Sequence, residues 1–321
     1  MKFLMIIALV VTFLNPAFAF TLPKNRCTDI VTPLDANEAV VWHKISCLNA
    51  HGQNQTINVL DIDTTQPEIK VVPMNADENQ LATLPTIASK NPLVLAGING
   101  GYFYNADNNP QYHDPICSTK TYPQTGDLGD SILQIDGKLI ASNCDTTVDG
   151  KNHFSRSVFA MDTKNDMYIQ EVSPDQPLSN LTNPARPNVA YAIGGGPNLV
   201  SAGADGKGFI NITDEGFYHV GIKAGRTAVG ITQNKHILML TVDGKSGVSG
   251  MTLRELAAFM LNYLQVNTAM NLDGGGSTTM CVKPNHGMTN DCKIVNQPSD
   301  DAGPRKIYDG LFVLINQTDR H

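Results

Sequence analysis

Much of the chain shows the short alternation of apolar and polar residues that is typical of β-strands. The segments QTINVLDID and PEIKVVPM alternate in this way, and three later segments place a turn between two such runs. These are SILQIDGKLI, with its turn at Asp136-Gly137, SVFAMDTKNDMYIQ, with its turn around Lys164-Asn165, and TAVGITQNKHILMLTV. The pattern therefore predicts several antiparallel strand pairs.

One segment has the periodicity of a helix instead. Its apolar residues, from Leu253 to Leu264, recur every three or four positions, and Thr252 and Glu255 have the T-x-x-E spacing of a capping box. We expect a helix over about residues 252–265. Because it lies between the apolar runs HILMLTV and TAMNL, it predicts a right-handed βαβ unit with parallel strands. The predicted fold class is α+β, with mixed, largely antiparallel sheets and this βαβ unit near the C-terminus.

Each strand of the predicted βαβ unit ends on an acid, Asp243 after the first and Asp273 after the second. Parallel strands of one sheet place such residues at the same edge. If the strands are neighbours about 5 Å apart, the two carboxylates stand at the separations of glycosidase acid pairs, roughly 5–9.5 Å. The alternative is that each aspartate only caps a turn, since Asp-Gly is a common turn dipeptide.

Asp273 is followed by three glycines and three hydroxyl residues. The glycines leave backbone N–H groups uncovered, and Ser277 and Thr278 add hydroxyl donors, which is the composition of an anion-binding nest. The alternative is a tight turn without a ligand. The residues of this candidate loop are Asp273, Gly274, Gly275, Gly276, Ser277 and Thr278.

Two further candidates lie at the ends of predicted strands. Asn99-Gly100-Gly101 follows the buried run LVLAGI and combines an amide, open backbone and then aromatic residues, as sugar sites often do. Arg226 begins a strand beside a glycine, and its planar guanidinium suits phosphate oxygens. The alternative for Arg226 is a surface ion pair. The histidines show no metal-ligand spacing.

The N-terminus has the features of an export signal. Lys2 precedes an apolar stretch, and Ala17-Phe18-Ala19 is a small-x-small cleavage pattern. We therefore expect a signal peptide over residues 1–19 and a periplasmic or extracellular mature chain without stable membrane insertion; the alternative is an uncleaved anchor. The net charge of -7 without basic clusters argues against nucleic acid as a partner.

An even number of cysteines in an exported chain predicts disulfides, although six cysteines allow fifteen pairings. Neighbouring cysteines give the simplest scheme, and the last pair is favoured because its short loop contains Pro284 and Gly287. The candidate pairs are Cys27 with Cys47, Cys117 with Cys144, and Cys281 with Cys292.

Five glycine-containing motifs follow one another in the chain: AGINGGYF, AIGGGPNLV, GRTAVGI, LTVDGKSGVSGMTLRELAAFML and AMNLDGGGSTTM. In this order they resemble the phosphodiester glycosidase family, and the tail VNQPSDDAGPRKIYDGLFVL, with Asn296, Ser299 and Arg305, also fits. The resemblance covers about residues 93–315 and indicates a catalytic domain over 93–316. Residues 20–92 carry no family motif and form a strand-rich N-terminal elaboration.

The resemblance implies hydrolysis of a sugar-1-phosphodiester, of the GlcNAc-1-phosphodiester kind, to free sugar and a phosphomonoester. A phosphorylated glycan or glycoconjugate is then the partner. Asp273 and Asp243 become the candidate catalytic residues, one of them as nucleophile or base. The candidate substrate- and phosphate-binding residues are Asn99, Gly100, Gly101, Arg226, Gly274, Gly275, Gly276, Ser277 and Thr278.

A second function class is open at this point, an exported protein that binds phosphoglycans or cell-wall polymers without turnover. Two acids beside an anion site favour the enzyme. No cofactor is required by the sequence. A divalent cation is compatible with acids beside a phosphodiester, although no loop has a calcium-binding pattern.

Overall fold

A computed structural model of the chain describes residues 20–48, 52–77, 80–104, 128–129, 131–141, 156–164, 166–172, 189–213, 215, 219–247, 249–283 and 291–316. The predicted signal peptide and the pair Cys117 and Cys144 lie outside these residues. The helices are α1 (Leu84–Ala88) and α2 (Leu253–Asn262), with a 3-10 turn at Gly275–Ser277. The strands are β1 (Cys27–Pro33), β2 (Val40–Leu48), β3 (Asn54–Asp63), β4 (Ile69–Asn75), β5 (Val94–Asn99), β6 (Phe103–Tyr104), β7 (Leu128–Gly129), β8 (Leu133–Ile135), β9 (Lys138–Ala141), β10 (Arg156–Asp162), β11 (Met167–Val172), β12 (Val189–Gly194), β13 (Asn198–Ala202), β14 (Gly208–Ile210), β15 (Arg226–Thr232), β16 (His236–Val242), β17 (Val266–Asn271), β18 (Met280–Val282), β19 (Lys293–Ile294) and β20 (Asp309–Ile315).

The strands form three larger sheets and one small ribbon. Sheet A has the order β1-β2-β3-β16-β15-β17-β13-β14, sheet B the order β19-β18-β5-β20-β4, and sheet C the order β11-β10-β12-β8-β9. Strands β6 and β7 pair separately. Neighbouring strands are antiparallel, so the largely antiparallel sheets expected from the hairpin patterns are confirmed.

The three predicted hairpins are present as β8–β9, β10–β11 and β15–β16. The predicted helix is α2, and its capping box is complete. The Glu255 N–H donates to Thr252 Oγ1 at 3.1 Å, and the Thr252 N–H donates to the Glu255 carboxylate at 2.9 Å. Local patterns of period 2 and 3.6 were sufficient for these elements.

The connection through α2 differs from the simplest arrangement of the βαβ unit. Strands β16 and β17 are both antiparallel to β15, which lies between them, so they run in the same direction without pairing. They stand two strand spacings apart, roughly 10 Å, rather than one. With α1 of 5 residues and α2 of 10, the described chain is a sheet-rich fold.

One large core cluster lies between sheets A and B, with Phe159 and Ile193 of sheet C packed against it, and a second lies between sheet A and α2. Strand β16 illustrates the alternation: Ile237 and Met239 face sheet B, whereas Leu238 and Leu240 face the opposite side, where α2 packs. Helix α1 covers the other side of sheet B through Leu84 and neighbouring residues. The N-terminal segment belongs to the same sheets, since β3 pairs with β16 and β4 with β20.

Two of the three expected disulfides are present. Cys27–Cys47 joins β1 to β2, and Cys281–Cys292 closes the segment between β18 and β19. Within the residues that the structure describes, no helix has the length and apolar character needed to cross a membrane.

The Cys281–Cys292 bond should contribute measurably to stability, because it closes an 11-residue separation. We expect the double variant Cys281→Ala/Cys292→Ala to lose about 2–4 kcal/mol of unfolding free energy, the usual contribution of a disulfide. Urea unfolding followed by fluorescence measures the loss. An unchanged midpoint and slope would contradict the expectation.

Candidate active site

The glycine-rich loop crosses from one sheet to the other. Strand β17 ends in sheet A at Asn271, and β18 begins in sheet B at Met280, so residues 272–279 bridge the two layers. Strand β20 begins beside the end of β5, because Gly310 pairs with Asn99 in an antiparallel register. Chain segments from both sheets therefore meet around this loop.

The Gly100 peptide unit joins two acids. Its N–H donates to the Asp309 carbonyl at 3.0 Å, and its carbonyl accepts from the Asp273 N–H at 3.0 Å. A Cβ atom at Gly100 would stand 2.1 Å from Asp309 Oδ1. Glycine is required here because the Asp309 carboxyl group lies directly against the backbone.

Asn99 fixes both ends of the loop. Its Nδ2 donates to the Asp273 carbonyl at 2.7 Å, and its Oδ1 accepts from Thr227 Oγ1 at 2.7 Å and from the Thr279 N–H at 3.0 Å. The Gly101 N–H donates to Asp309 Oδ1 at 2.8 Å. The predicted Asn99-Gly100-Gly101 element thus lies beside Asp273, with its polar groups engaged in holding the two acids.

Asp273 is half-buried and raised in pKa. Its Oδ1 accepts from the Gly274 N–H at 2.8 Å. Removal from water raises its pKa to about 6, although the Ser277 hydroxyl, the Gly274 N–H and Arg305 each lower it. A carboxylate with one side still open and a pKa near neutrality suits a group that exchanges a proton or attacks a substrate.

Each glycine of the triplet 274–276 is required for a different structural reason. Gly275 has φ +59°, which a side chain would strain, and its N–H donates to the Gly225 carbonyl at 2.8 Å. A Cβ at Gly274 would approach the Gly225 carbonyl to 2.8 Å. A Cβ at Gly276 would collide with Arg305, which is paired with Asp300. The tight turn is therefore real, and the anion nest stays a prediction.

Arg226 begins β15 and is buried, with 2% of its surface exposed. Its Nε donates to the Met251 carbonyl at 2.8 Å, and its Nη2 donates to the carbonyls of His219 and Ile222. Burial lowers its pKa, and among the described residues no carboxylate pairs with it. The surface ion pair considered from the sequence does not form within this part of the chain.

Apart from the Ser277 hydroxyl, which acts on Asp273, four buried polar atoms around the loop have no hydrogen-bond partner among the described residues. Such atoms are rare in folded proteins and indicate groups that bind water or a ligand. They are Asn271 Oδ1, Thr278 Oγ1, Thr279 Oγ1 and Asp309 Oδ2.

Asp243 lies at the neighbouring strand end. Strands β16 and β17 both end beside the start of β15, where Arg226 pairs with Val242 and Ala228 with Asn271. The Oδ1 atom of Asp243 accepts from the Gln297 N–H at 3.0 Å. Burial raises the pKa of Asp243 to about 6, although its hydrogen bonds with Gln297 and Asn296 lower it. Its close relation to Asp273 as an acid pair stays a prediction.

Sequence reasoning missed Asp309. It is 1% exposed, and burial raises its pKa to about 7, with the charge of Asp273 acting in the same direction. The available signal was an acid directly before the apolar run GLFVLI, the mirror image of Asp243 and Asp273 after their strands.

A second buried acid was also missed. Glu215 accepts hydrogen bonds from the Ser157 N–H, the Asn198 N–H and Thr213 Oγ1 at 2.6–2.7 Å, and burial raises its pKa. These contacts tie β10 to the start of β13.

The described residues contain no group of three or more metal-ligating side chains.

Comparison with known proteins gives the chain its family. The sequence profile of the phosphodiester glycosidase family matches residues 93–314. The chain is 45% identical over 60 residues to the bovine N-acetylglucosamine-1-phosphodiester alpha-N-acetylglucosaminidase and 40% identical over 60 residues to the human protein of that name. These stretches are 19% of this chain and 11% and 12% of the two relatives.

Solved structures agree in fold. The catalytic domain of the zebrafish N-acetylglucosamine-1-phosphodiester alpha-N-acetylglucosaminidase, auto-inhibited by its pro-peptide, aligns with a TM-score of 0.62 at 19% identity, over 91% of this chain and 89% of that one. A putative exported protein of Burkholderia pseudomallei aligns with a TM-score of 0.60 at 14% identity, over 91% of this chain and 97% of that one. The profile match spans most of the sequence, and the chain therefore belongs to the phosphodiester glycosidase family.

Proposed function

We propose that this chain is an exported hydrolase that cleaves a sugar-1-phosphodiester at the glycosidic bond, releasing free sugar and a phosphomonoester. The observation that carries the proposal is the glycine loop, where a half-buried carboxylate of raised pKa, Asp273, adjoins unpartnered hydroxyls. The family match supports the reaction class.

The charges suit an anionic substrate. A phosphodiester carries one negative charge, and the buried Arg226 guanidinium has no carboxylate partner in the described part of the chain. The hydroxyls of Thr278 and Thr279 lie in the glycine loop but are buried, so the guanidinium is the group proposed to stabilise the negative charge that grows on the departing phosphate.

Asp273 is proposed to act at the anomeric carbon. A phosphomonoester is a good leaving group and needs little protonation, so the main requirement is a nucleophile or a base that activates water. With a pKa of about 6, Asp273 is ionised over most of the neutral range and is basic enough for either role. Asp243 is the second candidate acid.

Export and substrate class complete the proposal. Residues 1–19 are proposed to be a cleaved signal peptide, and two disulfides are consistent with an oxidising compartment. The substrate is proposed to be a phosphorylated glycan or glycoconjugate carrying a GlcNAc-1-phosphodiester-like group.

The test is incubation of the purified mature chain with UDP-GlcNAc and with a methyl phosphodiester of GlcNAc-1-phosphate. We expect free GlcNAc together with UDP or methyl phosphate, and no GlcNAc-1-phosphate, because cleavage lies on the sugar side of the bridging oxygen. Release of GlcNAc-1-phosphate would contradict the proposal. Saturable binding of both compounds with no product would identify a binding protein instead.

A further inference from the structure

We propose that Asp309 is a further acid of this site, a positioning residue that stays protonated while Asp273 is ionised and so keeps the pocket from holding two negative charges. The proposal rests on the proposed function, because Asp273 is the acid that it modulates. It assigns to Asp309 the alkaline limit of phosphodiester cleavage by this chain.

The backbone of Gly100 links the main chains of the two acids. Gly100 bonds to the main chain of both, through its N–H to Asp309 and through its carbonyl to Asp273. The Asp309 side chain turns back over the same residue, since its Oδ1 accepts from the Gly101 N–H at 2.8 Å and lies 2.1 Å from where a Gly100 Cβ would be. The carboxyl group is thus fixed against the Gly100–Gly101 peptide unit, whose carbonyl accepts from the Asp273 N–H.

The surroundings of the second carboxyl oxygen of Asp309, Oδ2, favour the protonated form of the side chain. Oδ2 is buried and has no hydrogen-bond partner among the described residues, and the whole residue is 1% exposed. An ionised carboxylate with an unsatisfied oxygen in such a place is costly, and a second carboxylate nearby increases the cost. A protonated Oδ2 removes the charge and provides a donor.

No cation compensates Asp309 within the described chain. Strand β4 presents Asn75 opposite Asp309, and β5 presents Asn99 opposite Gly310, neither of which carries charge. From the glycine loop, Asp273 is the charged group that acts on Asp309. Arg305 acts on Asp273 and is paired with Asp300.

The order of ionisation follows from these surroundings. Asp273, aided by Arg305 and the Gly274 N–H, has a pKa of about 6, whereas Asp309 has a pKa of about 7. Asp309 is the more buried of the two acids and no cation among the described residues lowers its pKa, so between these values it keeps its proton while Asp273 is already ionised. Above that range a second negative charge enters the pocket and repels the phosphodiester.

The experiment compares wild type with Asp309→Asn, which imitates the protonated side chain and cannot ionise. Wild type should show KM for the GlcNAc-1-phosphodiester rising above pH 7, while the variant should show no such rise. At pH 8 we expect a KM roughly tenfold lower in the variant, the effect of two like charges about 10 Å apart at a dielectric of about 20. For a neutral aryl glycoside, the two proteins should show the same alkaline KM.

Thermal unfolding provides a readout that needs no substrate. The folded-state pKa of Asp309 is raised above its unfolded value, so the stability it contributes is full below about pH 4 and is lost as the pH rises through about 7. Wild type should therefore lose melting temperature relative to Asp309→Asn between pH 4 and pH 8, by several degrees. An Asp309→Thr variant, also unable to ionise, should show the same trend if the amide variant folds poorly.

A matched control makes the same change at another buried aspartate. Asp35 is 2% exposed and accepts from the N–H groups of Asn37 and Val40 in the β1–β2 connection. Asp35→Asn should keep the wild-type alkaline rise in KM. If Asp309→Asn retains that rise, and if the melting temperatures of wild type and Asp309→Asn change with pH in parallel, the proposal is wrong. If wild type releases no sugar but the melting curves of wild type and Asp309→Asn diverge with pH as expected, the proposed function fails while the protonated state of Asp309 stands.

Discussion

Asp273→Asn should lower kcat/KM for a GlcNAc-1-phosphodiester by about 10³-fold or more, within the range for loss of a general base or nucleophile. The amide keeps the shape of the side chain and retains an oxygen that accepts from the Gly274 N–H. It removes the charge and the basicity on which either proposed role depends. The loss should fall mainly on kcat, which steady-state kinetics at pH 7 measures.

The same variant should fold at least as well as wild type. The pKa of Asp273 is raised in the folded state, so its stability contribution is present below about pH 4 and lost as the pH rises through about 6. Asp273→Asn does not ionise and escapes this loss, so its melting temperature at pH 8 should equal or exceed that of wild type. If the variant is inactive and also has a low melting temperature, its loss of activity is explained by misfolding. If the variant is fully active, Asp273 has no role in the mechanism.

The neighbouring acid provides the comparison. Asp243→Asn makes the same change at a half-buried acid whose pKa is also raised to about 6, but whose contacts are with Gln297 and Asn296. We expect a smaller loss than at Asp273, because Asp243 does not contact the glycine loop through any hydrogen bond of the described residues. Equal losses in both variants would support a working acid pair.

Sequence patterns predicted the parts of the fold that depend on local spacing. The β15–β16 hairpin and α2 follow from alternation, from helical periodicity and from the capping residues Thr252 and Glu255, all within a few positions of one another. The insertion of β15 between β16 and β17 was not predicted, because strand order depends on pairing between distant segments. Pattern alone cannot distinguish adjacent parallel strands from strands with one between them.

The site was predicted to a similar depth. The structure brings Asn99, Gly100 and Asp273 together, and the sequence had singled out each of them as a candidate at the end of a buried strand. The importance of Asp309 comes from its burial against a peptide unit about two hundred positions away, which no local window reveals. For the same reason, the sequence did not show that Arg226 would use its Nε and Nη2 on loop carbonyls.

Arg226→Lys should reduce phosphodiester cleavage more than it reduces cleavage of a neutral aryl glycoside. Lysine keeps the charge but has no planar fork, so it cannot donate to the Met251 carbonyl and to the His219 and Ile222 carbonyls in the same geometry. A buried carbonyl left unpaired costs about 1–3 kcal/mol, so the melting temperature should also fall. The positive charge at position 226 is then displaced together with the loops that carry these carbonyls, and only cleavage of the phosphodiester depends on that charge.

The deciding quantity is the ratio of kcat/KM for the phosphodiester to kcat/KM for the aryl glycoside, which should fall by about tenfold, equivalent to about 1.4 kcal/mol. Thr252→Ala is the matched control. It removes the N-cap of α2, directly after Met251, at a cost of about 1 kcal/mol, and leaves the guanidinium in place. This control should lower the melting temperature without changing the ratio. A ratio that falls equally in both variants would assign the effect to loop disorder, and an unchanged ratio in Arg226→Lys would remove the guanidinium from phosphate recognition.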